Sequence, residues 1–311
     1  MEYSNKTSPV VFYLLGLSSD PHLQAVGFLV FLLMYLITLS GNGLLITVVS
    51  ITPKLQTPMY FFLCNLSLLD LCFSSTIVPI LLYNTLSKDR SITLLPCATQ
   101  MFSASSLGAT ECVLLSTMAY DRYAAICKPL HYNKIMNIKV CISFVLFAWA
   151  VGSINSAIHV FYTFQLPFCK THEVNQFFCE VPPFIRMSCI DTTFNEASMF
   201  ISAAVIVLFA FMLTLVSYVN IISTILKIRT SEGRHKAFST CSSHITVVSL
   251  FYGTIMFNYM HPRSSTTSET DKVVSILYTV VTPMLNPIIY SIRNKDIKAS
   301  LMKNSQNNFY H

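Results

Sequence analysis

The chain has 311 residues, of which 53% are hydrophobic and only 11% charged, with a formal net charge of +6. A soluble globular domain carries about 25% charged residues, so this chain has too few to cover a water-facing surface. The excess of positive charge collects at the ends of apolar runs, where it suits an anionic lipid rim, and nothing in its distribution suggests a nucleic-acid partner.

Residues 1–23 form a polar tail. It lacks the apolar core and small-residue cleavage site of a signal peptide, so the first span is expected to serve as its own insertion signal. Asn5-Lys6-Thr7 in that tail is a glycosylation sequon. The first apolar run, about residues 24–51, has no Asp, Glu, Lys or Arg and carries Asn42. The second, about 58–86, holds one acid, Asp70; its Asn65-Leu66-Ser67 sequon lies inside the run and reads as polar core. The third, about 92–124, has Glu111 midway and ends in Asp121-Arg122-Tyr123. The fourth, about 139–165, contains Trp149 and His159, the latter read as a hydrogen-bonded packing residue and not a metal ligand. Residues 166–196 make the one long connection, long enough to be functional. The fifth, sixth and seventh runs cover about 196–227, 236–260 and 271–293. Pro283 and Pro287 interrupt the seventh. Each removes a backbone hydrogen bond and kinks a helix, and Asn286 between them is expected to bond the freed carbonyls. A kinked helix running to Tyr290 is a candidate moving part, with a static kink as the equal alternative. In the tail, 294–311, Ile297, Leu301 and Met302 oppose Lys295, Lys298 and Lys303, which predicts a short amphipathic helix on the membrane surface.

Each run is long enough to cross about 30 Å of hydrocarbon as a helix of roughly 20 residues. Backbone groups in lipid must be satisfied within the segment, so the runs should be helical. A β-barrel would need alternating segments of about ten residues, which these are not. The expected fold is an all-α membrane protein: one domain, a seven-transmembrane helix bundle without internal repeats.

Basic residues at loop ends set orientation. With the N-terminus outside, 13 of the 20 Lys and Arg residues fall on the cytosolic side, among them Arg122, Lys128, Lys227, Lys236 and Arg293. That topology puts Cys97, Cys169, Cys179 and Cys189 on the oxidising face and leaves the remaining cysteines as free thiols. Four cysteines allow three pairings, and spacing alone does not choose among them. Their spacings are not those of a zinc finger or ribbon.

Ionisable groups inside a membrane are costly and mark function by default. Asp70 and Glu111, with Asn42 and Asn286, are expected to form one polar cluster. Two neighbouring carboxylates would share a proton or hold a cation such as Na⁺; a structural network fixing helix register is the equal alternative.

Several motifs then stand in order: Gly41-Asn42, PMYFFLCNLSLLD (58–70), MAYDRYAAICKPLHY (118–132), Trp149, Ser217-Tyr218, KAFSTCSSH (236–244) and PMLNPIIYSIRN (283–294). In combination, over almost the whole chain, they resemble the odorant receptor family of the rhodopsin-like G-protein-coupled receptors, with a class II-like outer loop. Ala124 stands where the family often has Val. The resemblance implies a multi-pass plasma-membrane protein, N-terminus extracellular and C-terminus cytoplasmic. It implies disulfides Cys97–Cys179 and Cys169–Cys189, and a sodium-type site at Asp70 and Glu111. Activation would run through Asp121, Arg122, Tyr123, Tyr218, Lys236, His244, Asn286, Pro287 and Tyr290. The implied partner is the olfactory stimulatory heterotrimeric G protein, which raises cyclic AMP.

Residues 102–109 carry no acid for an amine ligand, and 273–282 no lysine for a retinal Schiff base. The expected pocket is lined by Met101, Ala104, Ser105 and Gly108, by Ser202 and Ile206, by Tyr252, Ile255, Met256 and Tyr259, and by Thr279. Each set recurs at helical spacing, and its chemistry suits a small, neutral, hydrophobic odorant; helix packing is the alternative for any one residue. A transporter or channel would show repeated halves and broken helices. A membrane enzyme would show a nucleophile–base pair or H-E-x-x-H. Neither pattern is visible, so a non-enzymatic receptor is the leading expectation.

Overall fold

The computed structural model describes residues 11–17, 20–87, 89–169, 172–260, 269–293, 297, 298 and 300. Within them the chain forms seven long rods. Six are single helices: α1 (Pro21–Ile51), α2 (Pro58–Leu86), α3 (Leu94–Cys127), α5 (Ile138–Phe164), α7 (Thr193–Lys227) and α8 (Ser231–Met260). The seventh is built of α9 (Glu269–Ile276), a π-helical turn (Leu277–Val281) and α10 (Thr282–Arg293). Two short helices, α4 (Tyr132–Ile135) and α6 (Val181–Arg186), sit in the connections before and after α5. Five rods are long and apolar enough to cross a bilayer on composition alone. The exceptions are α3, which holds Glu111, Asp121 and Arg122, and α8, whose apolar part is Cys241–Met256.

Burial is inverted relative to a water-soluble protein. Leu29, Leu33, Leu208 and Phe209 are exposed, whereas Asn42, Asp70, Thr110 and Asn286 are buried. Against hydrocarbon this is the favoured sorting, because apolar side chains lose nothing outside and polar ones find partners only inside. Hydroxyls on the outer faces return to their own helix: Ser40 donates to the Leu36 carbonyl at 2.7 Å, and Thr47 to Gly43 and Thr76 to Cys72 at 2.8 Å each. No water is needed to satisfy them.

Local chemistry sets the helix starts. Asp20 accepts from the His22 amide at 2.8 Å, with Pro21 at the first helical position, and Asn137 accepts from the Val140 amide at 3.1 Å. These are N-caps, satisfying amides that have no partner inside the helix. Helices also overrun the expected spans: α7 begins at Thr193 and α8 at Ser231, because a helix does not stop where hydrocarbon does.

The tail preceding α1 holds more structure than its polarity suggests. Residues Val11–Leu14 form β1, the middle strand of a small sheet in the order β2-β1-β3, with β2 at Ser91–Thr93 and β3 at Glu173–Val174. β1 runs antiparallel to β2, pairing Phe12 with Ile92, and parallel to β3, pairing Leu14 with Val174. Phe12 and Leu14 are fully buried while Tyr13 is exposed, the two-residue period of a strand with one face covered. Phe12 lies 5.6 Å from the Phe168 ring and 4.8 Å from Phe184. Gly16, at φ +73°, turns the chain away at the strand's end.

Both implied disulfides are formed. Cys97–Cys179 ties the long loop to the top of α3, and Cys169–Cys189 closes that loop on itself. The Cys179 amide donates to Gln100 Oε1 at 2.9 Å, and Gln100 Nε2 donates to the Thr76 carbonyl at 3.0 Å. One side chain thus links the loop, α3 and α2.

Candidate functional site

The outer half of the bundle encloses a cavity of about 280 Å³ between α3, α5, α7, α8 and the seventh rod. Its position depends on how closely α5 approaches α3. A Cβ at Gly152 would collide with Thr110 Oγ1 and the Ser106 carbonyl, so only glycine permits this contact. Around it Ser156 donates to the Phe102 carbonyl at 2.8 Å, Thr110 to the Ala148 carbonyl at 3.4 Å, and Ser106 pairs with Ser153 at 3.2 Å. With α3 and α5 joined, Ser105 and Gly108 of α3 and Asn155 and His159 of α5 line one shared free space. The long loop covers it from above through Phe178, Glu180, Val181 and Pro182.

Of the residues expected to line this space, Ala104, Ser105, Gly108, Ser202, Ile206 and Ile255 do so. Four do not. Met101 is fully buried beneath the disulfide-tied loop, in a cluster with Phe12, Val181 and Phe184. Tyr252 is buried outside the cavity, receiving the Cys112 thiol at 3.9 Å and packing edge-on to Phe211. Met256 is 40% exposed on the outer surface. Thr279 is buried and donates to the Ser275 carbonyl at 2.6 Å. The Tyr259 side chain lies outside the described residues, as do Asn5 and the Lys236 side chain. On α8 the lining pair is Phe251 and Ile255, about one residue of rotation, or 100°, from the expected face. On the seventh rod Tyr278, within the π turn at Leu277–Val281, lines the cavity in place of Thr279.

Sequence reasoning gave no role to Asn155, Phe178 or Glu180, which also line the cavity. For Asn155 the signal was available: with His159 it stands one turn apart on α5. The loop residues had none, since periodicity says nothing about a loop's fold. His159 is hydrogen-bonded, as expected, to Ser202 Oγ at 2.7 Å, and it also faces the cavity. Although 102–109 is free of acids, the cavity extends one turn deeper to Glu111, and Glu180 enters from the loop. Glu180 is occupied: it accepts from Gln176 Nε2 at 2.8 Å and from the Tyr278 hydroxyl at 3.3 Å.

Below the cavity lies a polar core. Asn286 Nδ2 donates to both Asp70 oxygens, at 3.1 and 3.0 Å, and not to the carbonyls freed by the flanking prolines. That service comes from α1. Pro287 has no amide to offer the Pro283 carbonyl, and Asn42 Nδ2 donates to it at 3.1 Å. Gly41 makes the approach possible, since its Cβ would come within 3.0 Å of the Pro287 ring. Among the described residues three buried oxygens here have no hydrogen-bond partner: Asn42 Oδ1, Asn286 Oδ1 and Glu111 Oε1. An all-oxygen set with unsatisfied acceptors fits a hard monovalent cation. Among the described residues no group of three or more His, Cys, Asp and Glu side chains could hold a metal, so such an ion would rely on the amide oxygens as well.

At the cytosolic end Arg122 Nη2 donates to Asp121 Oδ2 at 2.6 Å, and the Tyr132 hydroxyl of α4 donates to Asp121 Oδ1 at 2.7 Å. Burial, and then the negative charge of Asp121, raise Tyr132 above the usual phenol range, which keeps its proton on the donor side of this bond. Tyr218 of α7 and His244 Nδ1 of α8 are joined at 2.6 Å. The Tyr290 hydroxyl is buried without a hydrogen-bond partner among the described residues. Tyr123 packs outside this group with Ile221, Ile225 and Cys241, under Lys128 at 5.8 Å. Of the tail, Ile297 is buried against the main core cluster.

The olfactory receptor family profile matches residues 31–307. Olfactory receptor 2C3 of Homo sapiens is 48% identical over 301 residues, covering 97% of this chain and 94% of the relative. Olfactory receptor 2G3 of Homo sapiens is 46% identical over 303 residues, with 97% and 98% covered. Olfactory receptor 5AP2 of Mus musculus is 46% identical over 303 residues, with 97% and 96% covered.

Proposed function

The chain belongs to the olfactory receptor family of G-protein-coupled receptors, and from that membership we propose how it works: a small, neutral, hydrophobic odorant enters the outer cavity and favours a state that activates the olfactory stimulatory G protein, raising cyclic AMP. The protein is a multi-pass membrane receptor and not an enzyme. The observation that carries the mechanism is the closed cytosolic lock. Arg122 is buried with its guanidinium on Asp121, Tyr132 holds the other Asp121 oxygen, and Tyr218 is joined to His244 across α7 and α8. These bonds favour the resting state.

Activation exchanges them. Outward movement of the cytosolic part of α8 parts Tyr218 from His244 and opens the interior beside Arg122. The Tyr290 hydroxyl, without a hydrogen-bond partner among the described residues at rest, is available for a new bond in the open state. The polar core lies between cavity and lock, and the twice-interrupted seventh rod is its deformable member. A ligand shifts this equilibrium only by the difference between its affinities for the two states. An N-terminus outside and C-terminus inside is supported by the disulfides, which need an oxidising compartment and sit at the end that carries β1. Asp70, Glu111, Asn42 and Asn286 would hold a sodium ion, whose charge would steady the resting core.

The test is a cyclic-AMP reporter assay with an odorant panel. Arg122→Ala is expected to reach the cell surface and lose the response. A surface-expressed Arg122→Ala variant that responds as fully as the parent refutes the G-protein role.

A further inference from the structure

Two polar side chains in the cavity, Asn155 and Ser105, have no hydrogen-bond partner among the described residues. Gly152 lies against Ser106 and Thr110, and Ser156 bonds the Phe102 carbonyl. Between them these contacts fix the register of α5 on α3, and in that register Asn155 of α5 and Ser105 of α3 line the same cavity. Both side chains line the cavity, and neither has a hydrogen bond to any described residue. Their polar neighbours are occupied: Ser156 on Phe102, and His159 on Ser202, which in turn donates to the Met199 carbonyl at 3.1 Å. Across the cavity the wall is apolar, formed by Ile206, Val207, Phe251 and Ile255.

We propose that Asn155 and Ser105 form a head-group subsite that selects a ligand hydroxyl, with the hydrocarbon body against the apolar wall. The proposal rests on the reading that this cavity takes the odorant. A carboxamide offers a donor and an acceptor side by side, and a serine hydroxyl does the same. An alcohol can give and take a hydrogen bond at once. An ether or ketone can only take one, and a hydrocarbon does neither and leaves the amide desolvated and unpaired. Sites built to bond a hydroxyl reject the analogue lacking it far more strongly than apolar sites reject a missing methylene. At roughly 30 Å³ per water-sized group, the cavity of about 280 Å³ holds on the order of nine heavy atoms, the size of a small volatile alcohol.

The experiment uses the purified full-length receptor and reads dissociation constants from ligand-induced thermal stabilisation. The probes are octan-1-ol, its isosteres 1-methoxyheptane and nonane, the ammonium analogue octan-1-amine, and branched and cyclic alcohols of similar size, each with its ether. The best-binding alcohol is expected to bind about tenfold more tightly than its ether. Asn155→Leu combined with Ser105→Ala should bring that ratio to about one. Asn155→Thr, which keeps a donor and an acceptor, should retain a ratio of about threefold and guards against misfolding of the double variant. A parent ratio near one overturns the proposal, as does a double variant that keeps the full preference. So does an amine that outbinds the alcohol, which would place the head group at Glu111, and so does a panel in which no alcohol binds. A preference seen in binding but absent from the cyclic-AMP response refutes the G-protein reading and leaves the subsite standing.

Discussion

The contact between α3 and α5 at Gly152 can be broken by a single methyl group. Gly152→Ala places a carbon inside the van der Waals envelope of Thr110 Oγ1 and of the Ser106 carbonyl, which is backbone and cannot rotate away. Restoring ordinary contact requires α5 to move out by about 1 Å, a displacement that forfeits roughly a quarter to a half of each dispersion contact it stretches. Three cross-helix hydrogen bonds lie within about one turn on either side of Gly152: Ser156 to Phe102, Thr110 to Ala148, and Ser106 with Ser153. Interhelical hydrogen bonds in membranes average about 0.6 kcal/mol, so their loss costs about 2 kcal/mol. Overpacking adds about 1–3 kcal/mol. A change of about 3–5 kcal/mol is a large part of a stability of 5–15 kcal/mol, and at about 2–4 °C per kcal/mol it lowers Tm by roughly 6–20 °C. Cys112, Cys141 and Cys241 are free and buried, so a thiol-reactive dye reports the unfolding of purified protein. Gly43→Ala is the control, because a Cβ there meets nothing within 4 Å. Equal melting of the two variants would show that the α3–α5 interface has slack and that the close approach is not what positions the cavity.

Other perturbations test the core and the lock. Tyr132→Phe removes one of the bonds holding Asp121, a charge-assisted hydrogen bond of about 1.5–3 kcal/mol; ligand-free cyclic AMP should rise several-fold, and an unchanged basal level would show that Tyr132 does not hold the resting state. Asn42→Ala leaves the Pro283 carbonyl unpaired in the interior at a cost of about 1–3 kcal/mol, and should lower Tm by several degrees; the same variant in a Pro287→Ala background, where the helix regains its own amide donor, should show a smaller loss. For the proposed sodium ion, Na⁺ in place of K⁺ should raise the Tm of purified receptor, and Asp70→Asn or Glu111→Gln should abolish the difference. A sodium effect that survives both substitutions would place the ion elsewhere.

Much of the architecture could be read from the chain because lipid leaves few options. A run of twenty or more residues without charge must satisfy its own backbone, so it is a helix wherever it crosses. Asp121 and Arg122 are adjacent, and Pro283, Asn286 and Pro287 share one short stretch, so their clustering needed no tertiary information. Periodicity also named an inward face for α3 and α7 that includes Ser105, Gly108, Ser202 and Ile206. It missed on α8 and on the seventh rod, where the lining falls one residue from the expected face, at Phe251 and Tyr278.

What the linear sequence determined, then, is the number and order of helices and the residue types each could bring inward. The tertiary structure decided depth and partners. Asn42, and not Asn286, satisfies the proline-freed carbonyl, because the close approach permitted at Gly41 brings α1 within hydrogen-bond reach of the seventh rod. Phe12 becomes the centre of the outer cap only when strands 80 and more residues apart along the chain pair on either side of it. The physical reason is one of range: solvation and backbone satisfaction act on each residue locally, whereas which two surfaces meet depends on shape complementarity between segments far apart in sequence.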